Sequence, residues 1–356
     1  MDKPICLIEN RVERGSAQLV VNPQAINILS KIHQPVVVVS IVGLYRTGKS
    51  YLMNRLAGAQ KGFSLGSTIQ SETKGIWMWC VPHPIYKDHI LVLLDTEGLG
   101  DVEKGDKKYD SKIFTIAVLL SSALVYNSRG TINQDALDKL KYPFITGELT
   151  ELIKVRTGGD IQDEEANFST YFPSFIWAVR DFSLELKIDG KMISEDGYLE
   201  NALKLKTPEK SSEDKEYNEL RNRLRMYFGK RKCFVFPVPT DSRKQLRELE
   251  QLTDDRLNED FVSQSTLFCD YIYKNAEVKT VDITVKVTGH RLGELAKLYT
   301  EALNSSNVVC LEKVVVSLAE KENRIAIQEA TMLYENRMKT IVLPTETLNQ
   351  FLDLST

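Results

Sequence analysis

The 356-residue sequence predicts an α/β protein, with a mostly parallel sheet covered by helices on both faces and a short all-α segment after it. Two patterns carry that expectation. Over about the first 280 residues, short β-branched runs alternate with helix-like spacing, as strands buried on both faces do. After Gly293 there is no further glycine, and apolar residues recur at three- and four-residue spacing. The length divides accordingly into a large domain over 1–280 and linker helices with the start of a helical region over 281–356.

In chain order, the clearest strands are Val36–Val42, Ile90–Asp95, Ala123–Asn127, Phe175–Asp181 and Cys233–Phe236. Several end in polar residues, where an open α/β sheet places its ligands. The most apolar stretch, Ile113–Tyr126, falls short of the roughly 20 residues that a membrane-crossing helix needs and is expected in the core. The acidic Gly158–Asn167 and the charged Lys206–Tyr217, with Pro208, Ser211 and Ser212, are expected as surface excursions. Leu295, Leu298, Ala302 and Leu303, then Leu311, Val314, Val315 and Leu318, have the spacing of a helical hairpin. A last helical pattern runs from Thr345 through Leu348, Phe351 and Leu352 with no glycine stop, as if the chain ended inside a longer helical region.

Charge and cysteine usage exclude several classes of function. With 46 basic and 49 acidic residues interspersed and a net charge of −3, the chain lacks the electrostatic footprint of a nucleic-acid binder. Its five cysteines are scattered and contain no CxxC pair, which argues against a disulfide framework and a zinc site and for a reducing, cytoplasmic location. Met1-Asp2-Lys3-Pro4 does not open a secretory signal, and Leu354-Ser355-Thr356 is not a prenylation box, so membrane association is not expected.

The decisive motif is Gly43-Leu44-Tyr45-Arg46-Thr47-Gly48-Lys49-Ser50, a full GxxxxGK[ST] between the strand Val36–Val42 and a helical run ending near Gly58. This is a P-loop in its proper context. Its glycines let backbone N–H groups turn inward around phosphates, Lys49 reaches the β/γ oxygens, and the Ser50 hydroxyl can ligate Mg²⁺. The expected cradle comprises Gly43, Tyr45, Arg46, Thr47, Gly48, Lys49, Ser50 and Tyr51. Downstream, Asp95-Thr96-Glu97-Gly98 closes the apolar strand Ile90–Leu94, as a Walker-B aspartate and DxxG switch should. Between the two motifs, Thr73 in Ser71-Glu72-Thr73-Lys74-Gly75 suits a switch threonine that completes the Mg²⁺ shell.

Base choice is less plainly written. The [NT]KxD guanine reader is absent, although Leu186-Lys187-Ile188-Asp189 keeps its last three elements. Arg180-Asp181, closing the strand Phe175–Val179 at the edge where a base would lie, is the better candidate. A carboxylate there accepts from both N1–H and N2–H of guanine, whereas adenine offers an acceptor at N1 and no 2-amino group.

Taken together, the P-loop, the stretch Thr73-Lys74-Gly75-Ile76-Trp77-Met78-Trp79-Cys80, the switch Asp95-Thr96-Glu97-Gly98-Leu99-Gly100-Asp101 and Arg180-Asp181-Phe182 resemble the guanylate-binding proteins, interferon-induced large GTPases of the dynamin superfamily. The likeness covers about 1–280 and continues into the helices that begin that family's helical domain, including Leu343-Pro344-Thr345-Glu346-Thr347-Leu348. Atlastins share the architecture and the Arg-Asp reader and resemble these motifs less closely. The resemblance implies GTP hydrolysis with Mg²⁺, in some members continuing from GDP to GMP, homodimerisation across the nucleotide face, and a role in cell-autonomous innate immunity. One departure lies after Phe236, where Pro237-Val238-Pro239 stands in place of the family's usual Asp-Arg-Pro guanine cap.

For hydrolysis, Leu99 follows Gly98 where Ras-like enzymes carry a water-orienting glutamine. The resemblance assigns water positioning to polar residues at Ser71 and Glu97. Arg46, inside the P-loop, is the candidate for a charge supplied in cis over the phosphates. Two other functions remain open on these residues: a nucleotide-gated interaction module with little turnover, and a P-loop ATPase.

Overall fold

The computed structural model describes residues 1–13, 16–65, 73–100, 107–145, 153–154, 171–281, 285–305, 309–339 and 352. The chain forms two compact units, Met1–Glu312 and Lys313–Thr356.

The first unit is built on an eight-stranded mixed sheet. Its strands are β1 (Ile5–Glu13), β2 (Ser16–Val21), β3 (Val36–Gly43), β4 (Ile76–Pro82), β5 (Ile90–Thr96) and β6 (Ala123–Arg129). After the short β7 (Ile153–Lys154) comes β8 (Ser174–Arg180), then the small strands β9 (Lys187–Ile188) and β10 (Lys191–Met192), then β11 (Arg231–Val235). The sheet order is β11-β8-β6-β3-β5-β4-β1-β2. From β11 to β5 every neighbour is parallel, and β4, β1 and β2 extend that block in antiparallel fashion. The five expected strands are the parallel block, and the antiparallel extension is an addition to the sequence reading. β7 pairs with β12 (Val309–Cys310), and β9 with β10, in separate two-stranded ladders.

Helices cover both faces of the parallel block. On one face, Val37, Val39, Ile41, Leu91, Leu93, Val125, Ile176 and Ala178 meet Tyr51 and Leu52 of α2 (Lys49–Leu56) and Phe261, Phe268 and Ile272 of a later helix, Glu259–Asn275. On the other, Gly289–Asn304 packs against α1 (Pro23–Leu29), α3 (Lys107–Leu120) and β2. Chemistry at the ends fixes where the helices start. Asn22, Ser194, Ser211, Asn258 and Thr288 each accept a backbone N–H from the first turn of the following helix. Among the described residues, the other α-helices of this unit are α4 (Gln134–Ile145), α5 (Glu195–Ala202), α6 (Ser212–Tyr227) and α7 (Arg243–Arg247), so that Glu259–Asn275 is α8 and Gly289–Asn304 is α9.

The apolar run Ile113–Tyr126 is divided between the end of α3 and the start of β6, and its apolar residues are buried throughout. The Lys279 ammonium, itself buried, donates to Ser121 O at 2.9 Å just past the end of α3, where the helix dipole favours a cation; burial nevertheless lowers its pKa to about 8. At the sheet edge, the N–H groups of Cys233 and Val235 on β11 donate to Asp196 Oδ1 and Glu195 Oε1, which covers an edge that would otherwise offer free donors.

One sequence expectation is corrected. Lys206–Tyr217 is a surface excursion only up to Ser211, because α6 begins at Ser212 with Glu213 and Asp214 in its first turn and buries Asn218, Leu220, Arg221, Leu224 and Tyr227. Glu213, Lys215 and Glu216 are good helix formers on the exposed face of an amphipathic helix, and Glu213 and Asp214 suit its N-terminal dipole. Gly158–Asn167 lies outside the described residues.

The pair expected as a helical hairpin corresponds to α9 and to α10 (Leu311–Lys339), which reaches into the second unit. Within that second unit α10 exposes Ile325, Ile327, Met332, Leu333 and Tyr334. Among the described residues, no helix is long and apolar enough to cross a membrane. Most of the pattern from Thr345 lies outside them.

Candidate nucleotide site

The site lies at the C-terminal ends of β3, β5, β6 and β8, where the turn from β3 into α2 wraps inward. Gly43 has φ +147°, and a Cβ there would stand 2.1 Å from Asn127 O on β6, so only glycine lets the strand end this close to its neighbour. The loop is then pinned internally. Thr47 Oγ1 donates to Leu44 O at 2.7 Å, and the buried Asn127 side chain donates from Nδ2 to Thr47 O at 2.9 Å. Asn127 appeared in the sequence only as the end of a strand. Its task follows from the register that pairs Gly43 with Asn127.

Lys49 and Ser50 open α2. The Lys49 ammonium is 7% exposed and donates to Leu44 O at 3.1 Å. Ser50 Oγ donates to Asp95 Oδ2 at 2.6 Å, and Thr73 Oγ1 donates to the same oxygen at 3.4 Å. Asp95 is fully buried, and its Oδ1 has no hydrogen-bond partner. Burial dominates both ionisable groups: it lowers Lys49 to about 8 and raises Asp95 to about 6, each opposed by the other's charge. The site thus sets a buried cation beside a buried carboxylate whose Oδ1 is unpartnered.

The segment after Asp95 is strapped to the P-loop. Thr96 Oγ1 donates to Ile41 O at 2.7 Å and Leu99 N–H to Gly43 O at 3.0 Å. A Cβ at Gly98 would come within 2.3 Å of Tyr45 Cα, so this crossing also requires glycine. Glu97 is buried. Its Oε2 accepts from Gly75 N at 2.9 Å and from Tyr109 Oη at 3.1 Å, while its own N–H donates to Gly75 O at 2.8 Å. The carboxylate therefore ties the end of the Thr73–Gly75 segment to the DxxG turn, which rules out a solvated loop side chain. Ser71 lies outside the described residues.

Arg46 sits in the loop with φ +59°, exposed, and makes no hydrogen bond or ion pair with the described residues. Arg180 is its opposite. Ending β8, it is 5% exposed, with its guanidinium 5.0 Å from the Phe236 ring, 5.4 Å from Phe261 and 6.0 Å from Tyr51, and Nη1 donating to Gly48 O at 3.4 Å. Burial lowers its pKa to about 10. A guanidinium held on aromatic faces beneath the phosphate loop makes a rigid strut between β8 and the P-loop. In the sequence its signal was slight: one arginine closing an apolar strand.

Asp181 follows in a left-handed conformation, φ +54°, and Arg129 Nε donates to its Oδ2 at 2.5 Å. Asp189, of the alternative reader, lies instead at the tip of the β9–β10 hairpin. One cavity of about 320 Å³ brings together Tyr45 through Tyr51 of the loop with Thr73, Gly98, Arg129, Arg180 and Asp181. Val238, Pro239, Leu246 and Leu249 add an apolar wall.

A strand, phosphate loop and helix in this order, with a Lys–Ser–Asp cluster at the C-terminal edge of a parallel sheet, define a P-loop nucleotide-binding domain. The chain belongs to the guanylate-binding protein family: that family's N-terminal domain matches residues 16–281 and its C-terminal domain residues 284–356. It is 54% identical over 354 residues to guanylate-binding protein 6 of Homo sapiens, covering 99% of this chain and 55% of that protein. It is 53% identical over 357 residues to human guanylate-binding protein 3 (99% and 58% covered) and 54% over 355 residues to guanylate-binding protein 3 of Mus musculus (99% and 56%). The chain thus spans little more than half the length of these relatives.

Proposed function

We propose that this chain binds guanine nucleotide with Mg²⁺ and hydrolyses GTP. The observation that carries the proposal is that Lys49 and Ser50 line one cavity with Asp181, while Ser50 Oγ reaches down to the buried Asp95 beneath it. A triphosphate supplies the anionic oxygens that Lys49 lacks. The Ser50 and Thr73 hydroxyls and the unpartnered Asp95 oxygen are the hard donors that suit Mg²⁺, which takes few protein ligands and completes its shell with phosphate and water. Held by these donors, Mg²⁺ would supply positive charge against the negative charge that develops during phosphoryl transfer.

The remaining roles fall to this chain's own residues. Lys49 holds the β/γ oxygens, and backbone amides of the P-loop cradle the rest. Arg46, uncommitted and next to the phosphates, folds over them and supplies the transition-state charge. Glu97 holds Gly75 against the DxxG turn, and with Ser71 it sets the position of the attacking water. Family membership supports homodimerisation through the nucleotide face, onward hydrolysis to GMP, and a cytoplasmic role in interferon-induced innate immunity as further parts of the same proposal.

Asp181→Asn tests base recognition. The amide can donate to a 2-oxo group where the carboxylate only accepts, so the variant should lose GTP affinity and gain affinity for xanthosine triphosphate. Competition binding measures both. A variant that keeps the parental preference for GTP removes Asp181 from base recognition.

A further inference from the structure

Asp181 can read only part of a guanine. As a carboxylate it accepts, which serves N1–H and N2–H, while the adjoining O6 and N7 need a donor. The neighbouring Arg180 does not supply one, because its guanidinium is buried among aromatic rings with Nη1 turned to Gly48 O. Arg129 is placed to do so. It ends β6 in register with Arg180, and Gly130 N–H donates to Arg180 O at 2.7 Å, which fixes the two strand ends side by side. Only its Nε is engaged, on Asp181 Oδ2; its two terminal nitrogens and Asp181 Oδ1 have no partner among the described residues.

The Arg129 side chain is 69% exposed, and an ion pair so open to water adds little to fold stability. The pair nevertheless lines the nucleotide cavity beside the apolar wall formed by Val238 and Leu246. We infer that Arg129 and Asp181 read the base jointly, with the terminal nitrogens of Arg129 donating to guanine O6 and N7 while Asp181 accepts from N1–H and N2–H. The inference rests on the role proposed for Asp181. It also gives a reason for rejecting adenine, whose 6-amino group would face a guanidinium with donor against donor.

Equilibrium titration of the 356-residue chain with GDP, inosine diphosphate, 6-thio-GDP and inorganic triphosphate tests it. Arg129→Met should weaken GDP and inosine diphosphate alike by about tenfold or more, since both carry O6 and the lost bond has a charged donor. It should weaken 6-thio-GDP, whose sulfur is a poor acceptor, much less, and leave triphosphate binding unchanged. Arg129→Lys should restore part of the loss. GDP binding by Arg129→Met at or above the parental affinity would overturn the inference, because Arg129 would then merely block Asp181. An equal loss of triphosphate affinity would do so too, by making Arg129 a general cation. The two layers fail separately: Asp181→Asn with unchanged guanine preference removes the reader itself, whereas a switched Asp181→Asn beside an unaffected Arg129→Met removes Arg129 alone.

Discussion

Lys49→Ala is expected to abolish measurable nucleotide binding while leaving the chain folded. Lys49 is nearly inaccessible, and its ammonium donates to a loop carbonyl, so its charge is held at a burial cost. A hydrogen bond to a charged group contributes about 1.5–3 kcal/mol, and an ammonium reaching two phosphate oxygens makes two of them. Their loss predicts an affinity drop of at least ~100-fold, because the remaining donors to a phosphate would be mainly backbone amides. Removing a buried, desolvated cation costs the fold little by comparison, so thermal melting should stay close to parental while calorimetric titration with GTP shows no binding. Parental affinity in this variant would mean that the phosphates lie elsewhere.

That expectation was legible in the sequence because the P-loop is a local motif. Glycine at 43 and 48, Lys49 and Ser50 act through a turn spanning eight residues, and Asp95 needed only an apolar strand before it. Residues whose roles depend on register between strands were not legible. Asn127 pins the loop because β6 pairs Asn127 with Gly43, and Arg129 meets Asp181 because β6 and β8 are in step. No single-chain pattern encodes such pairings. The antiparallel strands β1 and β2 were hidden for another reason: Glu9, Asn10, Arg11 and Gln18 interrupt the apolar pattern at the outer edge of the sheet. Glu97 was legible as a polar residue beside the DxxG turn, but its burial against Gly75 and Tyr109 emerges only once α3 packs there.

The second large effect falls on Arg46. It is exposed, without a partner among the described residues, and already in the left-handed region, so Arg46→Ala removes no structural contact. Ground-state affinity should stay nearly intact. The chemical step should slow by roughly 10³-fold, equivalent to ~4 kcal/mol, the range over which an arginine stabilises charge on a transferring phosphoryl group. Arg46→Lys should rescue poorly, because a compact ammonium cannot reproduce a planar fork spanning two oxygens. If two nucleotide faces must meet to bring Arg46 into place, specific activity should rise with protein concentration and then saturate. Hydrolysis by Arg46→Ala at the parental rate, or a rate independent of concentration, would leave Ser71 and Glu97 as the remaining candidates.

The central claim, a guanine-specific hydrolase, is tested most directly by single-turnover hydrolysis with enzyme in excess over radiolabelled GTP and Mg²⁺, repeated with labelled ATP and with unlabelled competitors. GTP should be converted completely and ATP little, and GDP but not ADP should inhibit the GTP reaction. Conversion of ATP at a comparable rate would make the chain a P-loop ATPase, and tight GTP binding without product would make it a nucleotide-gated module; either result contradicts the claim.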